Sequence, residues 1–136
     1  MFDFSGQAVV VIGAAGNLGQ AVGQTFLAAR ATLVLTDHVE GRLDRIFADI
    51  SGSSDHFLAD CVDATDTDAV EAMIAETVNR LGRVDVLVNT VGGFHGGTAA
   101  HETSLETWDL MMNPNARSVF IARRAGIPPL LQQGSG

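Results

Sequence analysis

An α/β fold, with a parallel sheet covered by helices on both faces, is predicted by three observations. Strand-like and helix-like patterns alternate along the chain with no break in composition. The first strand-like run, Ala8-Val9-Val10-Val11-Ile12, is continuously apolar, as a strand buried on both faces requires. It runs straight into Gly13, Gly16 and Gly19, spaced three apart, and then into a helical pattern.

The elements follow in order. Strands are expected over residues 7–12, 32–36, 56–62 and 84–89, and helices over 17–29, 42–50 and 66–81. The last of these carries Val70, Met73, Ile74, Val78 and Leu81 in helical spacing, and Thr65 with Asp68 forms a capping-box-like start. A final helix opens at a second such pattern, Thr103-Ser104-Leu105-Glu106, and carries Trp108, Met111 and Met112 as packing residues. Pro114 interrupts it, which predicts a kink, or a restart with Asn113 as N-cap and Pro114 at the first helical position. The tail from Ile127 to Gly136 ends in residues that continue no helix, and Arg123-Arg124 reads as a charge pair at a helix C-terminus.

Bulk properties exclude several functions. A chain of 136 residues fits one domain spanning 1–136. Its formal charge of −8 argues against nucleic acid or an anionic membrane surface as partner. The segment Met1-Phe2-Asp3-Phe4 lacks a basic targeting region and no apolar run reaches membrane-spanning length, so the cytoplasm is the expected location. The single cysteine, Cys61, lies in a strand-like run and is expected to be buried and inert. His38, His56, His95 and His101 share no ligand spacing with one another or with Cys61, so no metal site is expected. There is no tyrosine, and all eight basic residues are Arg. Without a lysine, the ATP-type phosphate loop is excluded.

The chemistry concentrates at strand ends. A strand-to-helix turn needs Gly where φ is positive or where backbone meets a ligand, and the following helix aims unpaired N–H groups at an anion. Gly13, Gly16, Asn17, Leu18 and Gly19 are therefore expected to cradle a pyrophosphate. Asp37 closes the next apolar run at the interval from which a carboxylate can accept from an adenosine ribose; a helix-capping or solvated carboxylate is the plainer alternative. Asp60 reads as a strand-end residue without a role. The glycine-rich loop Gly92-Gly93-Phe94-His95-Gly96-Gly97 either closes over a ligand or merely connects.

Together these motifs resemble the short-chain dehydrogenase/reductases, over essentially the whole chain but only the N-terminal half of such an enzyme. Gly13-Ala14-Ala15-Gly16-Asn17-Leu18-Gly19 is similar to the family's glycine turn, with Ile12 and Asn17 in place of a threonine and a glycine. The resemblance implies a Rossmann-type three-layer sandwich, sheet order 3-2-1-4, truncated before the fifth strand. It implies that Asp37 selects NAD over NADP by repelling a 2′-phosphate, with no basic residue in the loop to reverse the preference. Asp63-Ala64-Thr65-Asp66 resembles the segment in which an Asp side chain and the next amide hold adenine. Asn89-Thr90-Val91-Gly92 resembles Asn-Asn-Ala-Gly, which lines the nicotinamide ribose through Asn89, Val91 and Gly92; its second and third residues depart from that pattern. Trp108-Asp109, followed by Asn115, Ser118, Val119 and Phe120, resembles the helix carrying the family's structural and catalytic asparagine, which falls on Asn115.

The family's Ser-Tyr-Lys centre lies beyond Gly136, so the implied function is the NAD-binding portion of an oxidoreductase acting on a small alcohol or carbonyl, with this chain alone inactive. Two alternatives stand beside it. One is a non-catalytic nucleotide-binding module that self-associates into a homo-oligomer, because the outer edge of the strand over 84–89 would lack a neighbour. The other is an S-adenosylmethionine-dependent methyltransferase, which shares the first turn but lacks the Asn89 and Trp108-to-Asn115 patterns.

Overall fold

The computed structural model describes residues 2–136; Met1, within the segment read for a targeting signal, lies outside the described residues. Four parallel strands, β1 (Ala8–Ile12), β2 (Thr32–Thr36), β3 (Phe57–Ala59) and β4 (Val86–Asn89), form one sheet in the expected order 3-2-1-4. Helices α1 (Asn17–Ala28), α2 (Arg42–Ile46), α3 (Thr67–Leu81) and α5 (Ser118–Gln133) pack on it, and α4 (Leu105–Met112), which buries none of its residues, leads into α5. All five residues of β1 are buried, as its uninterrupted apolar run requires. The side chains of β1 and β2 alternate between two cores. Val9, Val11, Leu33 and Leu35 pack with Leu43 and Phe47, whereas Val10, Ile12 and Val34 pack with Val70, Met73, Ile74 and Ile121.

Three elements are shorter than the sequence suggests by two residues or more. β3 stops at Ala59 because the chain then peels away: Asp60 accepts from the Gly41 N–H at 2.6 Å and Val62 donates to the Asp37 carbonyl at 3.0 Å. Cys61, expected to be buried, is exposed at φ +61° as a result. At the other end of β3, the His56 Nδ1 replaces a backbone acceptor by taking the Leu33 N–H at 3.0 Å. β4 begins at Val86, because the Asp85 side chain takes the Ala8 N–H at 2.8 Å before the strand starts. α2 ends at Ile46 because Phe47 turns inward against Gly23, where an added Cβ would stand 2.9 Å from the ring.

The cap of α3 also differs. Asp66, not Thr65, is the N-cap, accepting from the amides of Asp68 and Ala69, while Thr65 folds back onto Asp63. The cap of α4 is shifted in the same way: Ser104, not Thr103, is the N-cap, its hydroxyl accepting from the Thr107 amide. Pro114 does not restart the helix. Asn113 keeps helical angles, and residues 113–117 form a widened π turn in which Ser118 donates to the Asn113 carbonyl five residues back. A missing N–H removes one ordinary rung, and a wider turn restores the ladder around it. α5 runs through Pro128 and Pro129 to Gln133, so only Gly134–Gly136 of the tail leaves the helix, with Gly134 capping it at φ +73°. Arg123 and Arg124 consequently sit inside α5, where Arg124 faces Glu71 at 3.6 Å, rather than at a helix end. Trp108 is 58% exposed and Met112 39% exposed, so of the core or interface packing expected of them the core is not where they lie. No helix among the described residues is long and apolar enough to cross a membrane.

The far end of the sheet is tied by one carboxylate. Asp85, 7% exposed, accepts from the Ala8 amide, from Arg83 at 2.6 and 2.7 Å and from Gln133 at 2.9 Å. The Arg83 guanidinium holds its carboxyl below the ordinary range. Gln133 in turn accepts from the Val84 N–H, so the C-terminus of α5 is docked on the beginning of β4.

Two outcomes follow. Asp85→Ala leaves the Ala8 amide without its acceptor and should cost about 2–3 kcal/mol in urea unfolding, since a buried unsatisfied donor costs that order. Burial holds the His56 imidazole below its ordinary value. A depressed His contributes stability above its unfolded pKa of about 6.5, and that contribution is lost as pH falls through the folded value. The thermal midpoint should therefore drop more between pH 7 and pH 5 in the native chain than in His56→Gln, whose side chain does not titrate.

Candidate nucleotide site

The loops at the C-terminal ends of β1, β2, β3 and β4 converge on the turn after β1. The last carbonyl of β2, Thr36 O, accepts from both Gly13 N (3.0 Å) and Ala14 N (2.9 Å), fixing the turn to the neighbouring strand. From β4 the Thr90 hydroxyl lies 2.9 Å from Ile12 O and 3.0 Å from Gly13 O, so its proton is shared between them. Thr90 is a departure from Asn-Asn-Ala-Gly, and it binds the turn all the same.

Two glycines are obligatory for different reasons. Gly13 has φ +82°, and a Cβ there would stand 2.8 Å from Val91 Cγ2. At Gly19 an added Cβ would lie 2.2 Å from Gly13 O and 2.7 Å from Ala14 Cα, so helix backbone rests directly on turn backbone. Gly16 differs, meeting only Gly13 O at an ordinary 3.4 Å. It is exposed, as are Asn17 and Leu18, so no side chain plugs the mouth of the turn. α1 makes its first bond from Gln20 N to Gly16 O, which leaves the amides of Asn17, Leu18 and Gly19 ahead of the helix's own ladder. That end of the helix is a ready acceptor of negative charge.

Asp37 stands beside this turn, only 5% exposed. Its Oδ1 accepts from Val39 N at 3.0 Å and lies 3.7 Å from His38 Nδ1 and 3.6 Å from Arg42 Nη1. Arg42 also donates through Nη2 to Ala15 O at 3.1 Å, so a single guanidinium spans the distance between Asp37 and the turn. No basic residue is expected in the loop after Asp37 to reverse its preference, yet a guanidinium from the following helix stands beside it. Arg42 begins α2, five residues beyond Asp37, and the fold brings it back. Asp60 makes that return possible through its bond to the amide of Gly41, whose φ of +71° starts α2. Asp60 Oδ1 and Thr36 Oγ1 are buried without hydrogen-bond partners.

Asp63 lies exposed beyond β3, and its Oδ1 accepts from both the amide and the hydroxyl of Thr65 at 2.8 Å. Those bonds hold its carboxyl below the ordinary range. Ala64 beside it is buried against the core of α3. At the end of β4 the Asn89 Oδ1 accepts from Val91 N at 3.0 Å, and its Nδ2 donates to Ser118 Oγ at 3.0 Å. The Ser118 hydroxyl donates onward to the Pro114 carbonyl at 2.6 Å, joining the strand end to the π turn.

Asn115, within that π turn, has its amide group fully committed. Its Nδ2 donates to Gly93 O and Met111 O, both at 2.8 Å, and its Oδ1 accepts from Gly93 N at 3.2 Å. Gly92 permits the approach, since a Cβ there would meet Asn115 Oδ1 at 2.9 Å. His95 N donates to the Met111 sulfur at 3.0 Å, so the loop from Gly92 to Gly97 is fastened at two points while Phe94 remains 92% exposed.

Sequence reasoning missed Arg42, Thr90 and Asp60. A small polar residue at a strand end and an arginine at a helix start are ordinary features, and only the tertiary path shows what they reach. A surface cavity of about 510 Å³ lined by Arg30, His56 and Arg80 lies at the opposite ends of the strands and takes no part in the site. Among the described residues no group of three or more His, Cys, Asp or Glu side chains is placed to hold a metal ion.

Comparison with known proteins agrees with this architecture. The short chain dehydrogenase family model matches residues 7–136. A hexahydroindene-carboxyl-CoA reductase of Mycobacterium tuberculosis is 38% identical over 127 residues, covering 90% of this chain and 47% of that protein. Meso-2,3-butanediol dehydrogenase of Serratia marcescens is 31% identical, covering 95% of this chain and 50% of the relative. A metagenomic short-chain oxidoreductase solved in complex with NADP superposes with a TM-score of 0.86 at 27% identity, over 98% of this chain and 60% of that one. A glucose/ribitol dehydrogenase from Brucella melitensis gives a TM-score of 0.83 at 29% identity, over 94% of this chain and 54% of its own. The chain thus spans about half the length of the curated relatives it matches. On the match across residues 7–136 and the fold that accompanies it, this chain belongs to the short-chain dehydrogenase family.

Proposed function

We propose that the chain is the dinucleotide-holding part of an NAD-dependent oxidoreductase acting on a small alcohol or carbonyl compound. The observation that carries this is Asp37, a buried carboxylate held one guanidinium's breadth from an open glycine turn. The residues suit a dinucleotide: Gly16, Asn17 and Leu18 are exposed at the mouth of the turn, and the amides of Asn17, Leu18 and Gly19 precede the helix ladder. These amides would receive the pyrophosphate across the open face of Gly16, and Asp37 the adenosine ribose. Asp63 and the Ala64 amide would hold adenine; Asn89, Val91 and Gly92 would line the nicotinamide ribose.

When bound, the nicotinamide ring supplies hydride transfer to or from a carbon bearing oxygen. This chain's contribution is to bind and orient. Asn115 fixes the Gly92–Gly97 loop to the π turn, a positioning role given by its bonds to Gly93 and Met111. With no tyrosine and no lysine in the sequence, neither a phenol nor an ammonium of this chain can move the proton that accompanies hydride. The names of the relatives, a reductase and a diol dehydrogenase, support the substrate class.

Isothermal titration should show the chain binding NAD, and Asp37→Ala should weaken it at least about tenfold, the loss of charge-assisted hydrogen bonds to ribose. No binding by the native chain would end the proposal. Self-association is the second reading, favoured by β4 at the sheet edge and by the exposure of Phe120, Ile127 and Leu131 on α5. Light scattering should give a mass that rises with concentration above 14.3 kDa, and a constant monomer mass would remove that reading.

A further inference from the structure

The π turn reaches three places at once. Asn115 fastens the Gly92–Gly97 loop, Ser118 accepts from Asn89 at the end of β4, and Arg117 reaches the segment after β3. The Arg117 Nε donates to Thr65 O at 3.2 Å, a bond between residues 52 positions apart in the chain. β3 and β4 are the two outer strands of the sheet, so a single helical turn ties the segments that leave both edges. Thr65 carries the tie onward. Its amide and its hydroxyl both donate to Asp63 Oδ1 at 2.8 Å, so the residue whose carbonyl Arg117 holds is the one that orients the Asp63 carboxylate. Asp63 is exposed, and these two bonds rather than core packing set its direction. Both fall on Oδ1, which leaves Oδ2 to accept from a ligand. A carboxylate can accept only from an N–H, and the base of an adenine nucleotide offers one such group, the exocyclic amine.

We infer that Arg117 is a positioning residue for the adenine end of the dinucleotide: through the Thr65 carbonyl it fixes the two donors that aim Asp63 at the exocyclic amine. It does so from the same turn that fastens the loop after β4, so the two ends of the cleft share one anchor. The role rests on the nucleotide reading above and deepens it. Arg117 itself touches neither the base nor a substrate. A guanidinium suits the task because it is always charged, its donors are held in a rigid plane, and a charged donor strengthens a hydrogen bond to a neutral carbonyl.

The test compares the 136-residue native chain with Arg117→Ala and Arg117→Lys in two measurements. The first is calorimetric titration with NAD and with nicotinamide hypoxanthine dinucleotide, in which a carbonyl oxygen replaces the adenine amine. Arg117→Ala should raise the Kd for NAD about fivefold, the size of one lost hydrogen bond, and that for the hypoxanthine dinucleotide less than about twofold. Arg117→Lys, which keeps a charged donor, should restore most of the NAD affinity. The second is an NMR titration of the Asp63 carboxyl carbon in the nucleotide-free chain. The bonds from Thr65 hold that carboxyl below the ordinary range, with His38 the charged group that adds to them. In Arg117→Ala its midpoint should rise toward the ordinary value, measured in about 0.5 M salt so that loss of an unbonded charge counts for little. Unchanged NAD affinity, equal weakening of both dinucleotides, or an unmoved Asp63 midpoint overturns the role of Arg117. If Arg117→Ala does not fold by circular dichroism, Arg117→Met, which keeps the apolar stem and no donor, takes its place and is read in the same way. Failure of the native chain to bind NAD defeats the nucleotide reading itself, whereas NAD binding with an indifferent Arg117 defeats this inference alone.

Discussion

Everything at the C-terminal ends of the strands depends on backbone touching backbone where α1 crosses the turn after β1. An atom the size of a Cβ at Gly19 would sit 2.2 Å from Gly13 O. Only hydrogen fits there, and the helix therefore starts close enough for its first amides to share one small volume with the strand end. Around this contact the fold spends its polar groups at short range. Thr36 O takes two turn amides, the Thr90 hydroxyl covers two turn carbonyls, and Gly16 N closes onto Gly13 O at 3.1 Å. The donors left over are those of Asn17, Leu18 and Gly19, so satisfying the inner face of the turn is what creates an unsatisfied outer one.

The two ends of the sheet are built on opposite electrostatic rules. At the beginning of β4, Asp85 is saturated by an amide, a guanidinium and a carboxamide, and it acts as a structural tie. At the end of β2, Asp37 takes a single amide and stands near two basic side chains without bonding to either. Asp85 has its acceptors filled by the chain itself, whereas Asp37 is nearly as buried yet keeps acceptor capacity unused.

The fold was largely legible because its signals are local and redundant. A continuous apolar run, three glycines at fixed spacing and a following helical period each point to the same turn, and the strand order comes with them. Boundaries were less legible where a side chain stands in for backbone. His56 replaces a rung before β3, Asp85 does so before β4, and Asp60 draws the chain out of the sheet to leave Cys61 exposed. Of the candidate site, the juxtaposition of the glycine turn and Asp37 was readable, because their spacing is set by a single β-α-β unit. Arg42 escaped because its significance depends on the path of the loop from His38 to Gly41, which no periodicity encodes. Pro114 misled for a related reason: helix propensity marks it as an interruption, but the chain stays helical through it by widening one turn.

The π turn between α4 and α5 holds one residue more than an ordinary helical turn would. An extra residue advances a helix by roughly 100° of rotation for little gain in length. α4, which buries none of its residues, and α5, which buries Ser118, Ile121, Ala122 and Gly126, are thereby set out of phase. The widened turn works as an angular coupling: the upstream face that carries Trp108 can change its composition without re-registering the downstream stripe that seals the sheet.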